Sequence, residues 1–313
     1  MKSSVFTSFL AVLVLLTGSA LQAQTPAAPA ATPAAAPAKF KWQKPALQTP
    51  PGFKFVVKDI AVYPEHTVTL TLYVPDKPGK YPAVLDIHGG GWKERQVEQD
   101  RPMMERIAAR GFVTAIVAYR LSTQAKYPAA INDCKAAVRY LRAHAEELHI
   151  DPERIGVMGG SAGGHLTGLL AMTNGLPEFE GDGPNREQSS AVKAAIVMAA
   201  QQDLVAPNKD KTGEGSILFF GATYQENPDL YAQASPITHV RAGVPPTIFI
   251  EGEKDSLKVG RAEMQEKLRA LGIETEVFTL KDAPHPFWMS QPWCDETVDI
   301  AVTFFKKHLG EPK

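Results

Sequence analysis

A serine bracketed by glycines, Gly159-Gly160-Ser161-Ala162-Gly163, sits where an apolar run, Ile155 to Met158, gives way to a helical pattern from Ala162 to Met172. Leu166, Leu169 and Leu170 recur there at helical spacing. A serine on a sharp strand-to-helix turn stands clear of its own backbone and can act as a nucleophile, and G-x-S-x-G is the form such a turn takes. Glycine is demanded at Gly159 and Gly163 because the neighbouring chain passes too close for a side chain. The competing reading is a glycine-rich turn with an incidental serine.

Acyl transfer at Ser161 needs donors for an oxyanion, a base, and an acid that orients the base. Directly after the apolar run Pro82 to Ile87 comes His88-Gly89-Gly90-Gly91-Trp92. Unobstructed N–H groups of Gly90 and Gly91, with that of Ala162 after the nucleophile, are the expected oxyanion donors. A phosphate-cradling loop is the alternative, but no Gly-Lys-Ser/Thr follows and no G-x-G-x-x-G opens a helix. His88 reads as a brace for this loop. For the base, chain order in this kind of site runs Ser, acid, His. His285, in the proline-bounded Asp282-Ala283-Pro284-His285-Pro286-Phe287-Trp288, is preferred over His239, read as a connector residue, and over His308 in the terminal helix. The acid should follow the preceding strand, Thr247 to Ile250. Asp255 is the first choice, with Glu251, Glu253 and Asp282 as fallbacks, and its competing role is to cap a helix beginning near Leu257.

Taken together these residues resemble the α/β-hydrolase superfamily, and within it the esterases with an HGGGW oxyanion loop near the hormone-sensitive-lipase group. Tyr119 to Ser122, Pro128 to Ala145, Asp151 to Leu166, Glu180 to Gly183 and Ala234 to Ile237 are similar to bifunctional carbohydrate esterases that remove acetyl and feruloyl groups from xylan. The similarity runs from about Lys54 to Leu309. It implies an α/β fold with a mostly parallel eight-stranded sheet and helices on both faces, and a Ser-His-Asp ester hydrolase. Two departures from the family pattern stand out: the residues flanking His285, and Asp86, which occupies a strand position where an apolar residue is usual.

The elements that must hold these groups alternate along the chain. Strands are predicted near 53–61, 67–74, 82–87, 112–118, 154–158, 193–199, 246–251 and 275–280. Helices are predicted near 98–110, 129–147, 162–173, 257–271 and 295–309. Active sites of open α/β sheets lie beyond the carboxyl ends of the strands. Two insertions, Asn174 to Ser190 and Gln201 to Val240, are therefore expected to roof the site, the second with short helices at 213–221 and 227–233. Trp92, Trp288 and Gln201 are the candidate substrate contacts: flat rings can cover a sugar or an aromatic acyl group, and the amide can bond hydroxyls.

A charged start, the apolar stretch Val5 to Leu16 and small residues through Ala23 read as a secretory signal peptide, too short to span a bilayer. Residues 24–39, nearly all Ala and Pro, read as a semi-rigid linker. Residues 40–313 suit one catalytic domain. Export to a periplasm or to the medium is expected, with no membrane span in the mature chain. With 33 basic and 34 acidic side chains the net charge is −1, which excludes an electrostatic footprint for nucleic acid and fits a neutral small ester or acylated polysaccharide. Cys134 and Cys294 lack disulfide-framework spacing. No metal-binding pattern occurs, and neither metal nor cofactor is expected. The leading expectation is an exported serine esterase acting on acetyl or feruloyl groups of plant-type polysaccharides. A prolyl-oligopeptidase-like peptidase or aminoacyl hydrolase, and a catalytically silent sugar-binding homologue, are the alternatives. Nothing in the sequence sets the oligomeric state.

Overall fold

A computed structural model describes residues 43–311, and the expected signal peptide and linker lie outside them. Elements run in the order β1 (Phe53–Val62), β2 (Thr67–Pro75), β3 (Tyr81–Ile87), α1 (Val97–Ala108), β4 (Val113–Ala118), α2 (Ala129–Ala143), β5 (Ile150–Gly160), α3 (Ala162–Met172), β6 (Ala195–Met198), α4 (Glu214–Phe220), α5 (Pro228–Gln233), β7 (Thr247–Gly252), α6 (Arg261–Ala270), β8 (Val277–Leu280) and α7 (Trp293–Leu309). The eight strands form one sheet in the order β1-β2-β4-β3-β5-β6-β7-β8. Pairings of β2 with β1 and β4 are antiparallel, and every pairing from β4 through β8 is parallel.

Period-two alternation sends each strand's side chains to opposite faces, and both faces are apolar because helices cover both. Leu85 and Ile87 of β3, Val113 and Val117 of β4 and Val157 of β5 pack with Ile131 and Leu141 of α2 and Leu166 and Leu170 of α3. Val84, Ile116 and Met158 point the other way, against Met103 and Ile107 of α1 and Val298 and Phe305 of α7. Cys134 belongs to the first core and Cys294 to the second, so the sheet separates two buried, unpaired thiols.

Three boundaries differ by four residues: β5 begins earlier, at Ile150, α2 ends earlier, at Ala143, and α6 begins at Arg261 rather than near 257, because Gly260 at φ 77° turns the chain before that helix starts. Among the described residues no helix is long and apolar enough to cross a membrane. The loops that follow β3, β5, β6, β7 and β8 all leave the sheet at the carboxyl ends of parallel strands, and these loops carry the candidate site residues.

Candidate active site

Ser161 sits between β5 and α3 at φ 58° and ψ −125°, a strained conformation for a residue with a Cβ. Two backbone bonds hold it there. Its N–H donates to the Met198 carbonyl at 2.9 Å, and its own carbonyl accepts from His165 N–H at 3.0 Å to open the helix. The close approach expected of the flanking glycines is present: a Cβ on Gly163 would lie 1.7 Å from the Ile87 carbonyl oxygen. Because β3 and β5 are adjacent and parallel, the turn necessarily packs against the end of β3.

The structure brings Ser161, His285 and Asp255 together from the ends of three strands. Ser161 Oγ donates to His285 Nε2 at 3.1 Å, and His285 Nδ1–H donates to Asp255 Oδ2 at 2.7 Å. Asp255 Oδ1 accepts from Leu257 N–H at 2.9 Å. The helix-capping role for Asp255 is excluded, since α6 starts six positions later. Burial works to raise the Asp255 pKa, but the hydrogen bond from His285 and that from the Leu257 amide outweigh it and hold the carboxyl below its ordinary value. The acid is thus an anion that fixes the proton on Nδ1, leaving Nε2 free to accept from the serine. His239 instead donates from Nε2 to the Gln233 carbonyl at 2.7 Å, and His308 faces Glu274.

A cavity of about 250 Å³ opens beside Ser161, walled by Gly91, Trp92, Ala162, His165, Ala200, Gln201, Gly213, Gly215, Ser216 and Leu257. Of the expected oxyanion donors, Gly91 and Ala162 border this cavity. Gly90, at φ 101°, closes the turn with its carbonyl, which accepts the N–H groups of Lys93 and Glu94, and neither bond engages its own N–H. His88 braces the loop from below, stacked 4.4 Å from the Tyr119 ring and donating from Nδ1 to the Gly89 carbonyl at 2.7 Å. Burial drives its pKa down to about 4, so it stays neutral.

Trp92 and Gln201 stand on the cavity wall. Trp288 does not. It is 1 % exposed, lies behind His285 at 5.4 Å between ring centroids and donates from Nε1 to Asp100 Oδ1 at 3.0 Å. The tight turn at Pro286 to Met289 folds it inward onto α1, so it cannot cover a substrate. The insertion Asn174 to Ser190 is also absent from the cavity wall. Lys135 and Arg139 of α2 clamp Glu180 at 3.2 and 2.9 Å and hold this segment on the flank, leaving residues 201–240 to roof the site.

His165 escaped sequence reasoning. Its Nδ1 accepts from Trp92 Nε1–H at 3.2 Å and its Nε2–H donates to the Ala234 carbonyl at 2.7 Å, tying the oxyanion loop to the roof. Burial lowers its pKa to about 4. The signal was its spacing: four residues after Ser161, one helical turn on, it must face the same way. Among the described residues no group of three or more His, Cys, Asp or Glu could hold a metal ion.

Comparison with known proteins agrees with this architecture. Esterase LipQ of Mycobacterium tuberculosis is 30% identical over 239 residues, covering 73% of this chain and 56% of that protein. A thermophilic esterase of Thermogutta terrifontis, Est2, superposes with a TM-score of 0.68 at 28% identity, over 83% of this chain and 95% of that one. A bifunctional GH43-CE protein of Bacteroides eggerthii gives a TM-score of 0.67 at 29% identity, over 77% of this chain and 36% of that one. The chain spans about half the length of the first curated relatives it matches, between 43% and 56%. The BD-FAE family model matches residues 70–265, which include the oxyanion loop, the serine turn and Asp255. With an eight-stranded, mostly parallel sheet and a serine turn between β5 and α3, the chain belongs to the BD-FAE family and has the α/β-hydrolase fold.

Proposed function

We propose that this protein is an exported serine esterase that removes small acyl groups, foremost acetyl and alternatively feruloyl, from plant-type polysaccharides. The observation that carries the reading is the chain of contacts from Ser161 Oγ to His285 Nε2 to Asp255 Oδ2, at 3.1 and 2.7 Å, opening on a cavity beside Gly91 and Ala162. Ser161 Oγ attacks the ester carbonyl as His285 Nε2 takes its proton, and the oxyanion is met by backbone N–H groups of Gly90, Gly91 and Ala162. The tetrahedral adduct collapses, His285 returns the proton to the leaving alcohol, and water repeats the sequence on the acyl-enzyme.

At about 250 Å³ the cavity falls just under the roughly 300–1,000 Å³ typical of drug-sized ligand sites, which suits one acyl group with the polymer lying outside. The carbohydrate side rests on the likeness of Pro128 to Ala145 and Asp151 to Leu166 to carbohydrate esterases, and on the Bacteroides eggerthii GH43-CE protein among the solved relatives. Export rests on the apolar stretch Val5 to Leu16 behind a charged start.

Acetate and ferulate release from acetylated xylan, pectin and small esters tests the reading. Xylan acetate turned over faster than a small acetate ester at equal acyl concentration supports it, and small-ester turnover without polysaccharide release sinks the carbohydrate part. Ser161→Ala is expected to lower para-nitrophenyl acetate hydrolysis by about 10⁴-fold or more with an unchanged circular dichroism spectrum. Retained turnover removes the serine assignment.

A further inference from the structure

Asp86, the residue out of keeping with its strand, faces the α1 and α7 side of the sheet, as alternation with Val84 requires. It is fully buried, and among the described residues no N–H or hydroxyl reaches either of its oxygens. Its partner is another carboxyl, that of Asp100 in the first turn of α1, itself 1 % exposed. Two carboxylates cannot both stay ionised at hydrogen-bond distance in an apolar site, so they share a proton. Asp86 is the donor: Asp100 Oδ1 is already engaged by Trp288 Nε1–H at 3.0 Å, which favours the charge on Asp100, and among the described residues no N–H or hydroxyl reaches Asp100 Oδ2. Burial pushes the Asp100 carboxyl up to about 7 and, with Asp100 alongside, holds Asp86 well above the usual carboxylate range.

The indole anchored in this way stands against His285 and against the residue that precedes Ser161. Its ring stands at 87° to the His285 imidazole, 5.4 Å between centroids. It also fills the space beside Gly160, where a Cβ would come within 2.3 Å of it, next to the nucleophile. We propose that Trp288 is a positioning residue for His285, and that the buried Asp86–Asp100 carboxyl pair is the anchor that holds it in place. Burying two carboxyls costs stability. The cost is offset by orientation, since an imidazole displaced by a fraction of an ångström loses its bond to Ser161 Oγ without losing the substrate cavity, whose wall Trp288 does not join.

The inference rests on the serine-esterase chemistry and is independent of which ester is natural. It is tested with para-nitrophenyl acetate, with Ser161→Ala measured in parallel so that loss of the serine reading is told apart from loss of the positioning role. Active sites are counted by organophosphate titration so that rates refer to folded molecules. Trp288→Phe, which keeps an aromatic ring and deletes the N–H, is expected to lower kcat about tenfold with KM within about twofold. Asp100→Ala should do the same, and Asp100→Asn, whose amide oxygen still accepts from the indole, should restore kcat to within about threefold of the parent. The downfield proton resonance of the His285 Nδ1–H to Asp255 bond should shift or broaden in Trp288→Phe and Asp100→Ala and be retained in Asp100→Asn. Should Trp288→Phe fail to fold, the Asp100→Ala and Asp100→Asn comparison decides. The proposal is overturned by a folded Trp288→Phe or Asp100→Ala with kcat within about twofold of the parent, by losses carried in KM, or by Asp100→Asn as slow as Asp100→Ala.

Discussion

Asp255 uses both carboxylate oxygens, one on His285 Nδ1–H and one on Leu257 N–H, and a neutral amide cannot accept at both. Asp255→Asn therefore either loses the loop bond or presents its NH₂ to the imidazole and forces the wrong tautomer. The expected result is a kcat lower by about 10³- to 10⁴-fold with little change in KM, read with the same acetate ester. The sign of the stability effect follows from the lowered pKa. The folded state binds the Asp255 proton less readily than the unfolded chain, so its contribution is full above the ordinary value of 3.8 and is lost as pH falls through the lower native value. Asp255 was legible in the sequence only as a position after a strand. That position made it the first choice over Glu251 and Glu253, and the structure gives those two other partners: Glu251 pairs with Arg261 at 3.0 Å and a Glu253 carboxylate oxygen accepts Asp282 N–H at 2.8 Å.

At the level of elements, the turn between β5 and α3 works because α3 lies against the end of β3, and the contact leaves no room at Gly163. Gly163→Ala places a methyl 1.7 Å from a carbonyl oxygen that belongs to a central strand and cannot move aside. We expect a loss at or beyond the top of the ~1–3 kcal/mol range for overpacked cores, and a Tm lower by about 10 °C. The same packing positions the oxyanion loop, whose Trp92 ring stacks on Phe219 of α4 at 4.6 Å while its N–H reaches His165. Trp92→Ala opens that wall, and the ratio of butyrate to acetate ester turnover should rise by roughly five- to tenfold. Helix periodicity told where α3 and α7 lie to within about two residues. It could not tell which insertion covers the site, because the anchor of residues 174–190 is an ion-pair cluster between residues some 40 positions apart, Lys135 and Arg139 with Glu180.

The molecule carries buried titratable groups that pull stability in opposite directions with pH. His88 and His165 are held neutral by burial, so their contribution is full above about 6.5 and is lost as pH falls toward about 4. Asp100, raised from 3.8 to about 7, keeps a proton that the unfolded chain gives up, so stability falls as pH rises through that window. Asp100→Asn removes the second effect, and its Tm advantage over the parent should be larger near about pH 8 than near about pH 5, as differential scanning calorimetry would record. Local chemistry written into the chain determined the strand and helix sequence and the serine turn, and marked Gly90, Gly91 and His285 as the candidates for oxyanion donor and base, because each depends on backbone strain, chain order or period that neighbouring residues specify. Tertiary structure alone decided that Trp288 faces inward, that His165 bridges loop and roof, and that Asp86 meets Asp100. Those outcomes depend on which distant side chains share a buried space, and in a dry interior a carboxyl or an indole N–H must take whatever partner that space provides.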